Sequence, residues 1–167
     1  MNRVRWLLDD FAHLLVGYSA WRIARLAGLG EGKWACLAAA LAGSVMPDLL
    51  WPWGVFSYVS THAITYYAIF ALPFLLWGKS RAPAALFIAA VALHIAIDIP
   101  MHAGTYAPFA PISDWKVTGF FNYWSDWGYV AAYWIGALAL AGATFLAEWK
   151  KTGGMTLGCD APVKKKQ

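Results

Sequence analysis

Residues 83–99 form an apolar run broken only by His94 and Asp98, and that run limits what the chain can become. An imidazole and a carboxylate inside such a segment are costly to bury, so they face a bundle interior or a wet cavity and not lipid. Four residues apart on a helix, they stack on one face about one turn apart, which suits sharing a metal ion or a proton. The rest of the composition points the same way. With 60% hydrophobic residues, 13% charged and 11 Trp among 167, too little polar surface remains for a water-soluble domain of this size to cover its core. The reading is an integral membrane protein. Its length allows one compact transmembrane domain, expected over 1–150, followed by a flexible, basic, cytoplasmic tail over 151–167.

Five segments approach the roughly 20 apolar residues that a bilayer crossing requires: 5–29, 34–46, 61–77, 83–99 and 129–149. Asp9, Asp10, His13, Arg22 and Arg25 interrupt the first, so a helix lying in the interface is its alternative. No small-residue cleavage site follows it, and the reading keeps it in the mature protein. Pro47-Asp48 is expected to end the second segment and Pro100 to end or kink the fourth. The connection 101–127, rich in Pro, Gly and aromatic residues, has a length typical of a lid or binding segment. Neither a repeat nor strand-like alternation is present. The expected fold is all-α, a polytopic membrane bundle of about five transmembrane helices.

Charge sets the orientation. Arg22, Arg25, Lys33, Lys79, Arg81, Lys150, Lys151, Lys164, Lys165 and Lys166 fall on one side, and Arg3, Arg5 and Lys116 on the other. The positive-inside rule makes the first side cytoplasmic and leaves the N-terminus outside. The net charge of +4 is spread over segment ends instead of one surface, which argues against a nucleic-acid partner. Membrane lipids are the expected partners, with the tail lysines suited to anionic headgroups. Cys36 and Cys159 suggest neither a disulfide framework nor a thiolate metal knuckle.

With this topology His13, Asp48, His62, His94 and Asp98 fall in one layer near the outer face, and His102 and Asp126 flank it from the long connection. Imidazole nitrogen mixed with carboxylate oxygen suits a divalent transition metal, Zn(II) first, with Mn(II), Fe(II) or Co(II) as alternatives. Three or four such ligands with one open position activate water at neutral pH, and hydrolysis of a lipid-borne or interfacial ester or phosphoester is the natural chemistry. Asp126 is a candidate catalytic base, and equally a favourable negative charge at the start of the fifth helix. Each ligand also has a plainer reading. Asp48 can be a turn carboxylate, His62 an early residue of a helix capped by Ser60 or Thr61, and His13 a partner of Asp9 or Asp10. His102 is read as a water-exposed loop residue. The alternative function is a non-enzymatic carrier or assembly partner whose polar layer binds protons or a solute; bis-histidine haem is disfavoured by the accompanying acids.

Taken in order, His13, Pro47-Asp48, Thr61-His62 and His94-Ile95-Ala96-Ile97-Asp98 resemble the YdjM-like family of membrane-bound metal-dependent hydrolases. The resemblance covers the first four helical segments. It implies a multi-helix protein of a bacterial-type inner membrane with metal-dependent hydrolase activity. Two positions depart from the family pattern. Pro-Asp-x-Asp is common there, but the second acid is Leu50 here; a His-Arg commonly precedes Thr-His, and those places read Ser57 and Tyr58. These departures imply a mononuclear site, a different substrate or lost catalysis.

Overall fold

The computed structural model describes residues 3–29, 34–50, 61–77 and 81–153. Within them lie five helices, α1 (Arg3–Leu26), α2 (Trp34–Leu50), α3 (Ile64–Leu76), α4 (Arg81–Met101) and α5 (Trp127–Thr152). A short antiparallel pair, β1 (Thr105–Tyr106) and β2 (Val117–Thr118), sits between α4 and α5 with Thr105 opposite Thr118. Each apolar segment is a helix, as the pattern requires. Two of them, α4 and α5, are long and apolar enough to cross a membrane, while α2 and α3 are shorter apolar helices. The expectations for Ser57, Tyr58, Ser60 and the tail from 154 onward fall outside the described residues.

Helix ends differ from expectation at three places. Both prolines lie inside their helices: α2 runs through Pro47 to Leu50, and α4 through Pro100 to Met101. A proline removes one donor, and near a helix end the bonds around it can continue the spiral; the amide of His102 still donates to the carbonyl of Asp98 at 2.9 Å. The third helix begins at Ile64, after Thr61-His62 instead of with it, and its N-cap is Ala63, which offers no side-chain bond. The exposed end of α3 is satisfied from elsewhere, because Ile64 N–H donates to the carbonyl of Pro108 at 2.9 Å.

The helix α4 packs against α1, α2 and α3, and α1 packs against α2 and α5. Small residues allow these approaches. A β-carbon at Gly43 would overlap the Phe87 carbonyl on α4, and one at Gly17 would overlap Ser44 on α2. Ala12, Val16, Val130, Tyr133 and Ala137 join α1 to α5, and Tyr67, Val91 and Ile95 join α3 to α4. Toward the far end of α1, Arg22 and Arg25 pair with Glu148 of α5, and Lys151 donates to the carbonyl of Leu26 at 2.7 Å.

The connection from α4 to α5 is a stitched cap. Gly119 N–H donates to the Gly104 carbonyl at 2.9 Å, Phe121 to Pro100 at 3.0 Å and Tyr123 to Met101 at 3.0 Å. Gly119 lies so close to α4 that a β-carbon there would overlap the carbonyl oxygens of Ile99 and His102, whereas Gly104 faces open space. Gly119→Ala is therefore expected to destabilise the protein by about 1–3 kcal/mol through overpacking. Gly104→Ala should stay within about 0.5 kcal/mol of the wild type. Thermal unfolding of the two variants checks this, and equal melting temperatures would remove the close approach from the account.

Candidate metal centre

Each polar group arrives on a different piece of the bundle. Asp9 and His13 come one turn apart on α1, Asp48 from the last turn of α2, and His62 from just before α3. His94 and Asp98 come one turn apart on α4, and His102 follows its end. The three imidazoles His13, His62 and His94 are fully buried, and Asp48 and Asp98 are 5% and 1% exposed. Groups so deeply buried must satisfy one another or a shared ligand.

The outer nitrogens of the imidazoles are anchored. His94 Nδ1 lies 2.7 Å from the carbonyl oxygen of Ser44. A carbonyl only accepts, so Nδ1 carries the hydrogen, and in the neutral ring Nε2 keeps its lone pair. His13 Nδ1 meets the Tyr133 hydroxyl at 2.9 Å, and His62 Nδ1 meets Thr61 Oγ1 at 3.0 Å. All three rings turn Nε2 toward the carboxylates. This is how metal-binding histidines are oriented, one nitrogen held by an outer partner and the other free to ligate.

The inner distances match a common ligand. His13 Nε2 lies 3.0 Å from Asp98 Oδ1, and His94 Nε2 lies 3.3 Å from Asp98 Oδ2. His62 Nε2 is 3.1 Å from Asp98 Oδ2, 3.4 Å from Asp48 Oδ1 and 3.4 Å from His94 Nε2. Donors about 2.1 Å from one tetrahedral ion lie roughly 3.4 Å apart. His13 Nε2 and Asp98 Oδ1 are buried and close, yet they are not aligned as a hydrogen bond, and Asp48 Oδ2 likewise has no hydrogen-bond partner. These atoms fit ligands aimed at one point. One donor atom each from His13, Asp48, His94 and Asp98 lies within 4.8 Å of the others, so this group could hold a metal ion.

All five ligand candidates from the sequence are thus brought together. Asp126 is not. It is exposed, and its carboxylate accepts the Gly128 N–H at 2.7 Å as the N-cap of α5. The helix-end reading describes it, and among the described residues no contact makes it a catalytic base.

His102 requires a correction. Expected in water, it is only 4% exposed, with Nε2 3.4 Å from Asp9 Oδ2 and Nδ1 3.5 Å from Asp98 Oδ2. The cause is the continuation of α4 through Pro100, which stacks His94, Asp98 and His102 along one face. Its two ring nitrogens thus face two carboxylates, one from α1 and one from α4. Its ring also lies against Tyr123 and Trp124 of the cap. Asp9 was absent from the ligand candidates, although its four-residue spacing from His13 was the available signal; it lies 3.8 Å from His13 Nε2.

Tyr133 is a further residue that no local pattern marks, since it lies 120 positions from the His13 that it anchors. Tyr133→Phe removes that anchor with little change of shape. Metal affinity is expected to fall about 10–100-fold, measured by competition with a chelator of known affinity. An unchanged affinity would show that the hydroxyl does not orient His13.

Compared with protein families, curated proteins and solved structures, the chain matches none of them.

Proposed function

We propose that this chain is a metal-dependent hydrolase built into a membrane helix bundle, acting on a lipid-borne or interfacial ester or phosphoester. The observation that carries the reading is the set of three imidazoles with anchored Nδ1 atoms and Nε2 atoms turned toward Asp48 and Asp98. His13, Asp48, His94 and Asp98 would hold the ion, with His62 beside it as the further nitrogen donor. The nitrogen and oxygen donors favour Zn(II), and Cys36 is buried in a separate cluster with Trp21 and Ala40. Bound there, the metal supplies Lewis acidity and the activation of water.

The chain's own residues do the rest. Ser44, Thr61 and Tyr133 orient the ligands, and the His102 ring lies between Asp98 and Asp9. Leu50, where the YdjM-like family commonly carries a second acid, packs beside Tyr67, Val91 and Ile95, which favours a single ion. In this reading all five helices cross the membrane, α4 and α5 being the two that are long and apolar enough to span it unaided. The distribution of Lys and Arg puts the N-terminus outside and the metal layer toward the outer face of a bacterial-type inner membrane.

Elemental analysis of the detergent-purified protein tests the proposal, followed by release of phosphate or fatty acid from phospholipid nanodiscs with and without chelator. A stoichiometric transition metal and chelator-sensitive release are expected. A protein that stays metal-free after incubation with Zn(II), Mn(II), Fe(II) and Co(II) would rule the proposal out. One observation favours the carrier reading: Asp98, His102 and Asp9 extend the polar layer as a series of titratable contacts 3.4–3.5 Å long. Proton flux in liposomes that needs Asp98 and survives chelation would select it.

A further inference from the structure

Two apolar cavities lie end to end on α4, between α2 and α3. The first, about 420 Å³, is lined by Met46, Leu50, Thr61, Tyr67, Phe70 and Phe87. The second, about 360 Å³, shares Phe70 and Phe87 with it and continues to Ala35, Ala39, Phe74 and Pro83. Together they make one groove. From Ala35 to Leu50 along α2 its length is about 22 Å. At the Leu50 end stands Thr61, whose hydroxyl meets His62 Nδ1 at 3.0 Å and whose carbonyl accepts the Tyr67 hydroxyl at 2.8 Å. Among the described residues the lining is mostly apolar and ends at Thr61, the chain neighbour of His62.

We propose that this groove seats one acyl chain of a membrane lipid, with the head end at Thr61 and the tail toward Ala35 and Pro83. The length of the groove fits an acyl chain. One leaflet of a hydrocarbon core about 30 Å thick is about 15 Å deep, so the groove accepts the full chain. A second groove of about 400 Å³, bounded by Val16, Ile97, Gly136 and Leu140, reaches His13 only through Tyr133, whose hydroxyl is already engaged there. The chain seat therefore lies on the His62 side. That the head end is a scissile ester rests on the hydrolase reading; the seat itself does not.

The test uses the full chain in nanodiscs doped with phosphatidylcholine carrying a mid-chain diazirine, irradiated and mapped by peptide mass spectrometry. Phe70 and the half-buried Phe87 are expected to carry several-fold more label than Ile135 and Leu138 on α5, although Ile135 is as exposed as Phe70, each at 69%. Ala39→Phe and, as a second filling variant, Ala84→Leu should each reduce that label several-fold while metal content stays at the wild-type level. His94→Ala should leave it intact. Even labelling over α3 and α5, labelling indifferent to both filling variants, or cross-links from the groove to another protein chain would overturn the proposal. A metal-loaded protein with even labelling removes the chain seat alone; a metal-free protein with a labelled groove removes the hydrolase reading alone.

Discussion

Asp98→Asn is expected to remove more than half of the stabilisation that the protein gains from Zn(II). Asp98 lies 3.0–3.5 Å from nitrogens of His13, His62, His94 and His102, so it is the group that all four imidazoles share. The substitution keeps the shape of the side chain, removes its charge and exchanges one acceptor oxygen for an amide donor. Losing an anionic ligand should weaken metal binding more than losing an outer partner does, hence by more than about 100-fold. A ligand present at a thousand times its dissociation constant stabilises the native state by about 4 kcal/mol, and a hundredfold loss of affinity leaves less than half of that. In chelator the variant is already weaker than the wild type, because a carboxylate that compensates buried imidazoles has been neutralised. The melting temperature is compared in chelator and in excess Zn(II). A variant that gains as much from Zn(II) as the wild type would exclude Asp98 from the ligand set.

The same residue shows how far the sequence could be read. The spacing from His94 to Asp98 is local, so their shared helix face followed from periodicity alone. Convergence with His13, Asp48 and His62 followed from topology, because successive helix ends return to the same side of a bundle. What the pattern did not reveal depended on chain geometry at prolines and on distant contacts. Pro100 reads as a stop or a kink, yet α4 continues through it to Met101, and this places His102 in a buried site between Asp98 and Asp9. Proline position alone does not distinguish a terminated helix from one closing its last turn. The cap could not be read either. Its bonds from Phe121 to Pro100 and from Ile64 to Pro108 join segments with no shared periodicity. Asp126 illustrates the converse case. An acid at the start of a helix already has a local use, and the structure gives it that one.

The second large effect lies at the other end of α1, where Glu148 accepts from both Arg22 and Arg25 and is only 4% exposed. Removing one partner from a buried ion pair leaves charge uncompensated, and Glu148→Ala is expected to cost about 3–5 kcal/mol. Arg22 is also stacked on Tyr18 and Phe145, each 4.9 Å from its guanidinium carbon, and Arg25 on Trp21 at 4.9 Å. Those ring contacts soften the loss without replacing an anion. The metal layer should be untouched, since Arg22 lies nine residues beyond His13, about 13 Å along the helix. Thermal unfolding in chelator, alongside metal content, separates the two ends. The triple change Arg22→Met, Arg25→Leu and Glu148→Leu removes the charges together and should recover most of the lost stability, because apolar side chains of similar volume often replace a buried ionic cluster without penalty. If the triple variant is as unstable as Glu148→Ala, the cost arises from packing and not from stranded charge. If the triple variant is stable but inserts with mixed orientation, Arg22 and Arg25 serve topology while Glu148 makes their burial tolerable.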